Sequence, residues 1–224
     1  MDLIKTENLD KTYSDNGVPV EALKDINLSF ERGEFTVIAG PSGSGKTTLL
    51  NVIGALDKPT NGKIFLEGSD ITIKKRKELS ALRLNKFGFV FQAYNLIPVL
   101  SAIENIEFSM MLLGIPESER RSKALSLLDE LEIKDLAYKR PNEMSGGQQQ
   151  RVAVARAIVN DPEIVFADEP TANLDSVTGG KLLDLMEKMN RDKNITFIFS
   201  SHDNQVIERA KRLILLRDGK LDLK

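Results

Sequence analysis

A chain of 224 residues that is 41% hydrophobic and 29% charged can bury the core of one compact domain and is too apolar to be disordered. Its 31 Lys and Arg against 33 Asp and Glu leave a formal charge of −2, so no global field draws it to nucleic acid or to an anionic lipid surface. With no cysteine it has no disulfide framework, thiolate metal site or cysteine nucleophile. The opening MDLIKTENLDKTY lacks a basic-then-apolar leader, and no apolar run approaches the ~20 residues of a spanning helix, so a soluble, cytoplasmic protein is expected.

In chain order, Leu3–Tyr13 and Ala22–Phe30 alternate like half-buried strands, with Ser14–Gly17 as a polar turn between them. Phe35–Ala39 is continuously apolar, the pattern of a strand buried on both faces. A glycine-rich turn follows, then a helix over Lys46–Leu56, where Leu49, Leu50, Ile53 and Leu56 recur at helical spacing. The charge run Lys74–Lys77 reads as a solvated surface turn. Ser101–Leu113, Pro116–Leu131 and Gln148–Val159 read as helices, Pro116 suiting a first turn and Leu125, Leu128 and Leu131 repeating every third residue. This points to an α-helical subdomain over 95–142, inserted between core segments 1–94 and 143–224. The last third alternates: strand Ile164–Ala167, helix Ser176–Arg191, strand Thr196–Ser200, helix Gln205–Ala210 and strand Arg212–Arg217, an α/β pattern with a mostly parallel sheet. No regulatory domain is expected beyond the Leu221–Leu223 tail.

The turn Gly40-Pro41-Ser42-Gly43-Ser44-Gly45-Lys46-Thr47 fits G-x-x-x-x-G-K-[ST] between a strand and a helix. Such a backbone points successive N–H groups inward around phosphate oxygens, and the helix adds its positive end. Lys46 supplies a mobile charge for the β- and γ-phosphates, Thr47 a hydroxyl for Mg²⁺ and Thr48 a further phosphate contact; Ser42 and Ser44 need only be small. Together these features predict a P-loop NTPase core.

The strand Ile164–Ala167 runs into Asp168-Glu169, and ligands collect at the carboxyl ends of strands in open α/β sheets. Asp168 is placed to hold Mg²⁺, and Glu169 to polarise the water that attacks the γ-phosphate.

A second glycine-rich helix start, Met144-Ser145-Gly146-Gly147-Gln148, precedes Gln149-Gln150-Arg151. It strongly resembles the signature motif of the ATP-binding-cassette ATPases, with Met144 where leucine is usual, a swap of similar volume. Other positions match that family in order. Tyr13 resembles the aromatic that stacks on adenine. Gln92 resembles the glutamine joining core to helical subdomain, which also reaches the metal. Ala172–Asp175 is similar to the loop after the acidic pair, where Asp175 also suits a helix cap, and His202 resembles the switch histidine that contacts the γ-phosphate. As the only histidine, His202 excludes a multi-histidine metal site.

The resemblance spans the chain and implies an N-terminal antiparallel β subdomain beside the core. It also implies an ATPase that forms a head-to-tail homodimer on ATP binding. In that dimer Ser145 and Gly147 of one subunit close over the nucleotide held by Lys46 of the other, with Lys46, Gln92, Glu169 and His202 carrying the catalysis. Leu49–Gly54, Leu56–Gly62 and Ser145–Arg151 look like the lipoprotein-release and macrolide-export branch, whose members pair with membrane permeases. That implies a place on the inner face of the cell membrane and no nucleic-acid partner. A DNA-maintenance ATPase would insert long coiled coils between phosphate loop and signature, but only about a hundred residues separate Lys46 from Ser145, without sustained heptads. A ribosome-associated protein would carry two cassettes. An ATPase that signals through a membrane partner without moving cargo would use the same residues.

Overall fold

A computed structural model describes residues 2–15 and 18–222. The chain opens with β1 (Ile4–Asp15) and β2 (Val18–Phe30), followed by β3 (Phe35–Ala39) and α1 (Lys46–Ile53). Next come β4 (Asn61–Leu66), β5 (Ser69–Asp70), α2 (Arg76–Lys86) and β6 (Phe87–Val90). The middle holds α3 (Ala102–Leu112), α4 (Glu117–Glu130), two short 3₁₀ turns and α5 (Gly146–Ile158). The last third is β7 (Ile164–Asp168), α6 (Ser176–Lys193), β8 (Thr196–Ser201), α7 (Asn204–Glu208), β9 (Arg212–Arg217) and β10 (Lys220–Leu221).

The strands form two sheets. One is antiparallel, in the order β2-β1-β4-β5; the other runs β10-β9-β3-β8-β7-β6 and is parallel except for the β9–β10 hairpin. Strand periodicity divides the apolar residues of the larger sheet between two cores. Phe35, Val37, Val165, Ala167, Phe197 and Phe199 face the helices α3 to α6. Ile38, Ile164, Phe166, Ile198 and Ile214 face α1 and the antiparallel sheet. The continuous apolar run of β3 is therefore buried on both faces, as its sequence predicts.

Several elements differ from the sequence reading. The polar turn at Ser14–Gly17 is shorter, because β1 continues through Ser14 and Asp15; Asn16 and Gly17 lie outside the described residues, as does Leu223 of the tail. The helix after the phosphate loop stops at Ile53, where Gly54 and Ala55 (φ 55°) turn the chain. Lys74–Lys77 is only partly a turn, since Lys75 caps α2 and Arg76 begins it. This helix buries Leu79 alone, which explains why no apolar stripe reveals it.

A nucleotide cleft at the strand ends

The carboxyl ends of β3, β7 and β8 meet at one cleft of about 660 Å³, lined among others by Gly43, Lys46, Thr47, Gln92, Glu169 and His202. The loop after β3 turns sharply into α1 through Gly45, which has a φ of 102°. A Cβ at this position would lie 2.5 Å from the Ala22 carbonyl oxygen, so both the backbone and the space require glycine. Gly45 also caps α1 without a side chain, so the first N–H groups of the helix remain available at the loop. Lys46 is only 7% exposed, and its Nζ donates to the carbonyls of Gly40 (2.8 Å) and Pro41 (3.0 Å). Among the described residues no carboxylate pairs with this ammonium, a costly arrangement that a bound polyanion would relieve. Ser44, two residues earlier, is buried, and its hydroxyl has no partner among the described residues.

Opposite the loop, the parallel register sets Asp168 of β7 against Ser200 of β8. The Ser200 hydroxyl donates to Asp168 Oδ1 at 2.6 Å, and the Thr47 hydroxyl donates to the same oxygen at 2.9 Å. Thr47 and Asp168 thus converge as hard oxygen donors, the chemistry that suits Mg²⁺. Glu169 stands one residue beyond the strand with φ 46°; its N–H donates to the Ser200 carbonyl at 2.9 Å. Its carboxylate accepts the Ser201 hydroxyl at 3.0 Å and meets His202 Nδ1 at 2.6 Å. The end of β7 therefore carries both Asp168 and Glu169 to the loop, and Ser200 and Ser201 of the neighbouring β8 hold them.

Gln92 reaches the same cleft from the turn after β6. Its carbonyl accepts the Asn173 side-chain amide at 2.8 Å, linking it to the loop that follows the acidic pair. Arg156 of α5 donates to the carbonyls of Tyr94, at 2.8 Å, and Asn95, holding the next residues of that turn. Burial lowers the pKa of this guanidinium.

The structure does not bring every predicted site residue to this cleft. Ser145, Gly146, Gly147, Gln148 and Asp175 do not line it. Ser145 caps α5, its N–H donating to Gln148 Oε1 at 2.9 Å, and a Cβ on Gly146 would sit 2.6 Å from the Tyr94 hydroxyl. Asp175 caps α6, accepting from the N–H groups of Val177 (3.1 Å) and Thr178 (3.0 Å). The Thr178 hydroxyl and these N–H groups hold the Asp175 carboxyl below its ordinary range. Tyr13 is absent from the lining, but its β2 partner Val20 contributes to it.

Other lining residues escaped the sequence reading: Glu21, Ala22 and Lys24 of β2, and Asp218 and Gly219 of the β9–β10 turn. No local motif marks them, because only the pairing of distant strands carries them to the loop. Ser200 and Ser201, which hold the acidic pair, also escaped the sequence reading although they adjoin His202 in sequence.

The family described as ABC transporter matches residues 23–172. The ABC transporter ATP-binding protein MJ0796 of Methanocaldococcus jannaschii is 44% identical over 224 residues, covering 98% of this chain and 95% of that one. Its dimeric structure matches with a TM-score of 0.92 over 98% of this chain and 96% of that chain, at 44% identity. A second dimeric structure of MJ0796, in a post-hydrolysis state bound to ADP and Pi, matches at 43% identity with a TM-score of 0.92 and the same coverage. The macrolide export ATP-binding/permease protein MacB of Brucella melitensis is 46% identical over 219 residues, which is 98% of this chain but 34% of that protein. These likenesses agree with the branch resemblance drawn from the motifs. The chain belongs to the ABC transporter family, as one of its ATP-hydrolysing cassettes.

Proposed function

We propose that two copies of this chain close head-to-tail around two ATP molecules and that this movement drives a separate membrane permease of the lipoprotein-release or macrolide-export type. The observation that carries the reading is the division of the site. The cleft gathers Lys46, Thr47, Glu169 and His202, while the anion-suited start of α5 at Ser145–Gln148 lies outside it. A second copy could supply that helix start to the open side of the triphosphate.

In this reading the loop Gly40–Thr48 cradles the phosphates, and the buried Lys46 ammonium exchanges its two carbonyl contacts for β- and γ-phosphate oxygens. Tyr13 lies against the adenine. Thr47, Asp168 and Gln92 would hold Mg²⁺, which neutralises charge on the phosphate oxygens when bound. Glu169, oriented by Ser201 and His202, aligns the attacking water and takes its proton, and His202 contacts the γ-phosphate. Loss of the γ-phosphate removes the contacts that bridge the two copies, and the dimer reopens. Residues 95–142 move as a helical subdomain, and Gln92 passes that motion to the permease on the inner face of the membrane. No helix among the described residues is long and apolar enough to cross a membrane itself.

The test is the ATPase rate against protein concentration, for the wild type and for Ser145→Arg mixed with Lys46→Ala. A rate that rises faster than linearly, with activity in the mixture beyond either variant alone, is expected from sites shared between two chains. A strictly linear rate, indifferent to Ser145→Arg, would mean that one chain hydrolyses ATP alone. Copurification with a membrane subunit, followed by an assay of cargo movement, then separates transport from signalling.

A further inference from the structure

Two residues outside the cleft converge on Tyr13 and have no part in the mechanism above. The Tyr13 phenol donates to Asp57 Oδ2 at 2.9 Å, and the Lys11 ammonium lies 2.8 Å from the same oxygen. Lys11 also donates to the Lys58 carbonyl at 2.8 Å, and its Nζ stands 4.6 Å from the centroid of the Tyr13 ring. The other Asp57 oxygen accepts the Lys58 N–H at 2.7 Å. Burial works against the Asp57 charge, but Lys11, the phenol and this N–H together hold its carboxyl below the ordinary range. The Lys11 side chain is 11% exposed, whereas Tyr13 remains 39% exposed. The ammonium is therefore tied down against the ring and largely hidden from solvent, while part of the ring stays exposed.

Asp57 is in turn tied to the phosphate loop. The N–H groups of Leu56 and Asp57 both donate to the Asn51 carbonyl, at 2.9 and 3.1 Å, and Asn51 belongs to α1, the helix that starts with Lys46. Thr60 adds a second strap to β1, accepting the Thr12 N–H at 2.9 Å while its own N–H donates to the Asp10 carbonyl at 2.8 Å. The run Leu56–Gly62 thus joins the end of the phosphate-loop helix to the strand that carries Tyr13. A ring left free to rotate at an exposed strand end would lose rotamer freedom on stacking, and a ring already held does not. A cation near the ring also adds an electrostatic hold on its orientation.

We infer that Asp57 and Lys11 are positioning residues for nucleotide selection, which hold the Tyr13 ring at a set place relative to the phosphate loop and present its open side to the base of ATP. This rests on the reading of Tyr13 as the adenine platform. Losing this partly buried pair costs some stability, so a merely structural role would show as a lowered melting temperature with the nucleotide affinity of the folded protein unchanged.

The experiment compares Tyr13→Ala, Tyr13→Phe, Asp57→Ala and Lys11→Met in the full chain. It measures KM and kcat for ATP and the Kd of inorganic tripolyphosphate, which has no base. Asp57→Ala and Lys11→Met are expected to raise KM for ATP about three- to tenfold, with kcat within about twofold and tripolyphosphate binding unchanged. Tyr13→Phe, which keeps the ring and removes the phenol's bond to Asp57 together with its contact to Thr48, should show a smaller rise. Asp57→Ala made in a Tyr13→Ala background should add nothing further. If Tyr13→Ala raises KM but Asp57→Ala, Lys11→Met and Tyr13→Phe do not, the positioning role is wrong and the adenine platform stands. If Tyr13→Ala itself leaves KM unchanged, the platform reading fails and this inference goes with it. Equal losses for ATP and tripolyphosphate would place the effect on the phosphate loop and overturn a base-specific role.

Discussion

Glu169 occupies the left-handed region at φ 46°, where a non-glycine residue costs about 1–2 kcal/mol. Its neighbours hold it there: the Ser200 carbonyl takes its N–H, and Ser201 and His202 take its two carboxylate oxygens. The bend lifts this carboxylate out of the strand direction, so that adjacent carboxylates serve different partners. Asp168 meets Thr47 and Ser200, while Glu169 faces the cleft beside His202. Glu169→Gln keeps the size and the hydrogen-bonding neighbours but removes the carboxylate proposed as base. Turnover is expected to fall by a factor on the order of 10²–10⁴ with ATP binding retained. Size-exclusion chromatography with ATP and Mg²⁺ should then show a trapped dimer; a monomer alone would count against the closed-dimer scheme.

Elements were legible where local chemistry decides them. The helix start at Ser101 is a capping box, with Glu104 accepting the Ser101 N–H at 2.8 Å and its hydroxyl at 2.7 Å, and α3 begins one residue later. Ser101→Ala should cost about 1 kcal/mol, read as a lowered denaturant midpoint with unchanged slope. The strand–loop–helix around Lys46 and the acidic end of β7 were equally local, and both lie where their patterns predict. β4 was not legible, because its half-exposed run gains its meaning only from pairing with β1, far away in sequence. α2 escaped for a related reason: with only Leu79 buried, its strongly charged sequence resembles a solvated turn. The separation of the signature from the cleft within one chain was expected from the family resemblance alone, since motif order by itself does not reveal which way a helix start faces.

At the scale of the molecule, two sheets and a helical layer are fastened by contacts between segments remote in sequence. One is a ring of alternating charge. Arg32 and Lys86 each pair with both Glu67, in the β4–β5 turn, and Glu163, ahead of β7; the Arg32–Glu163 and Lys86–Glu163 distances are 3.1 and 3.0 Å. The ring pins the antiparallel sheet to the parallel one. Lys86, with Arg32, holds the Glu67 carboxyl below its ordinary range, and Glu67 with Glu163 raises the Lys86 pKa. For Glu67 the stabilisation is present above the ordinary glutamate range and fades as pH falls through the depressed folded value. For Lys86 it is complete below the ordinary lysine value and is lost as pH rises through the raised one. The members are partly exposed, so Glu67→Gln should cost no more than about 1 kcal/mol at low salt. Thermal melts should show that difference at neutral pH and low salt, and show it shrink in high salt and at acid pH; a salt-independent loss would mean that packing rather than charge joins the sheets there.

By itself the sequence determined the phosphate-loop motif, the acidic strand end, the lone histidine after β8, the α/β alternation and, through the order of its motifs, the resemblance to the family. Each of these is written in residues adjacent along the chain, where spacing alone sets the chemistry. Only the tertiary structure decided the strand order, the two-faced core, the Ser200 and Ser201 props behind the acidic pair, and the Lys11–Asp57–Tyr13 strap. Those depend on which distant segments come within hydrogen-bond reach, and that follows from burying both faces of the central sheet at once, a condition on the whole chain.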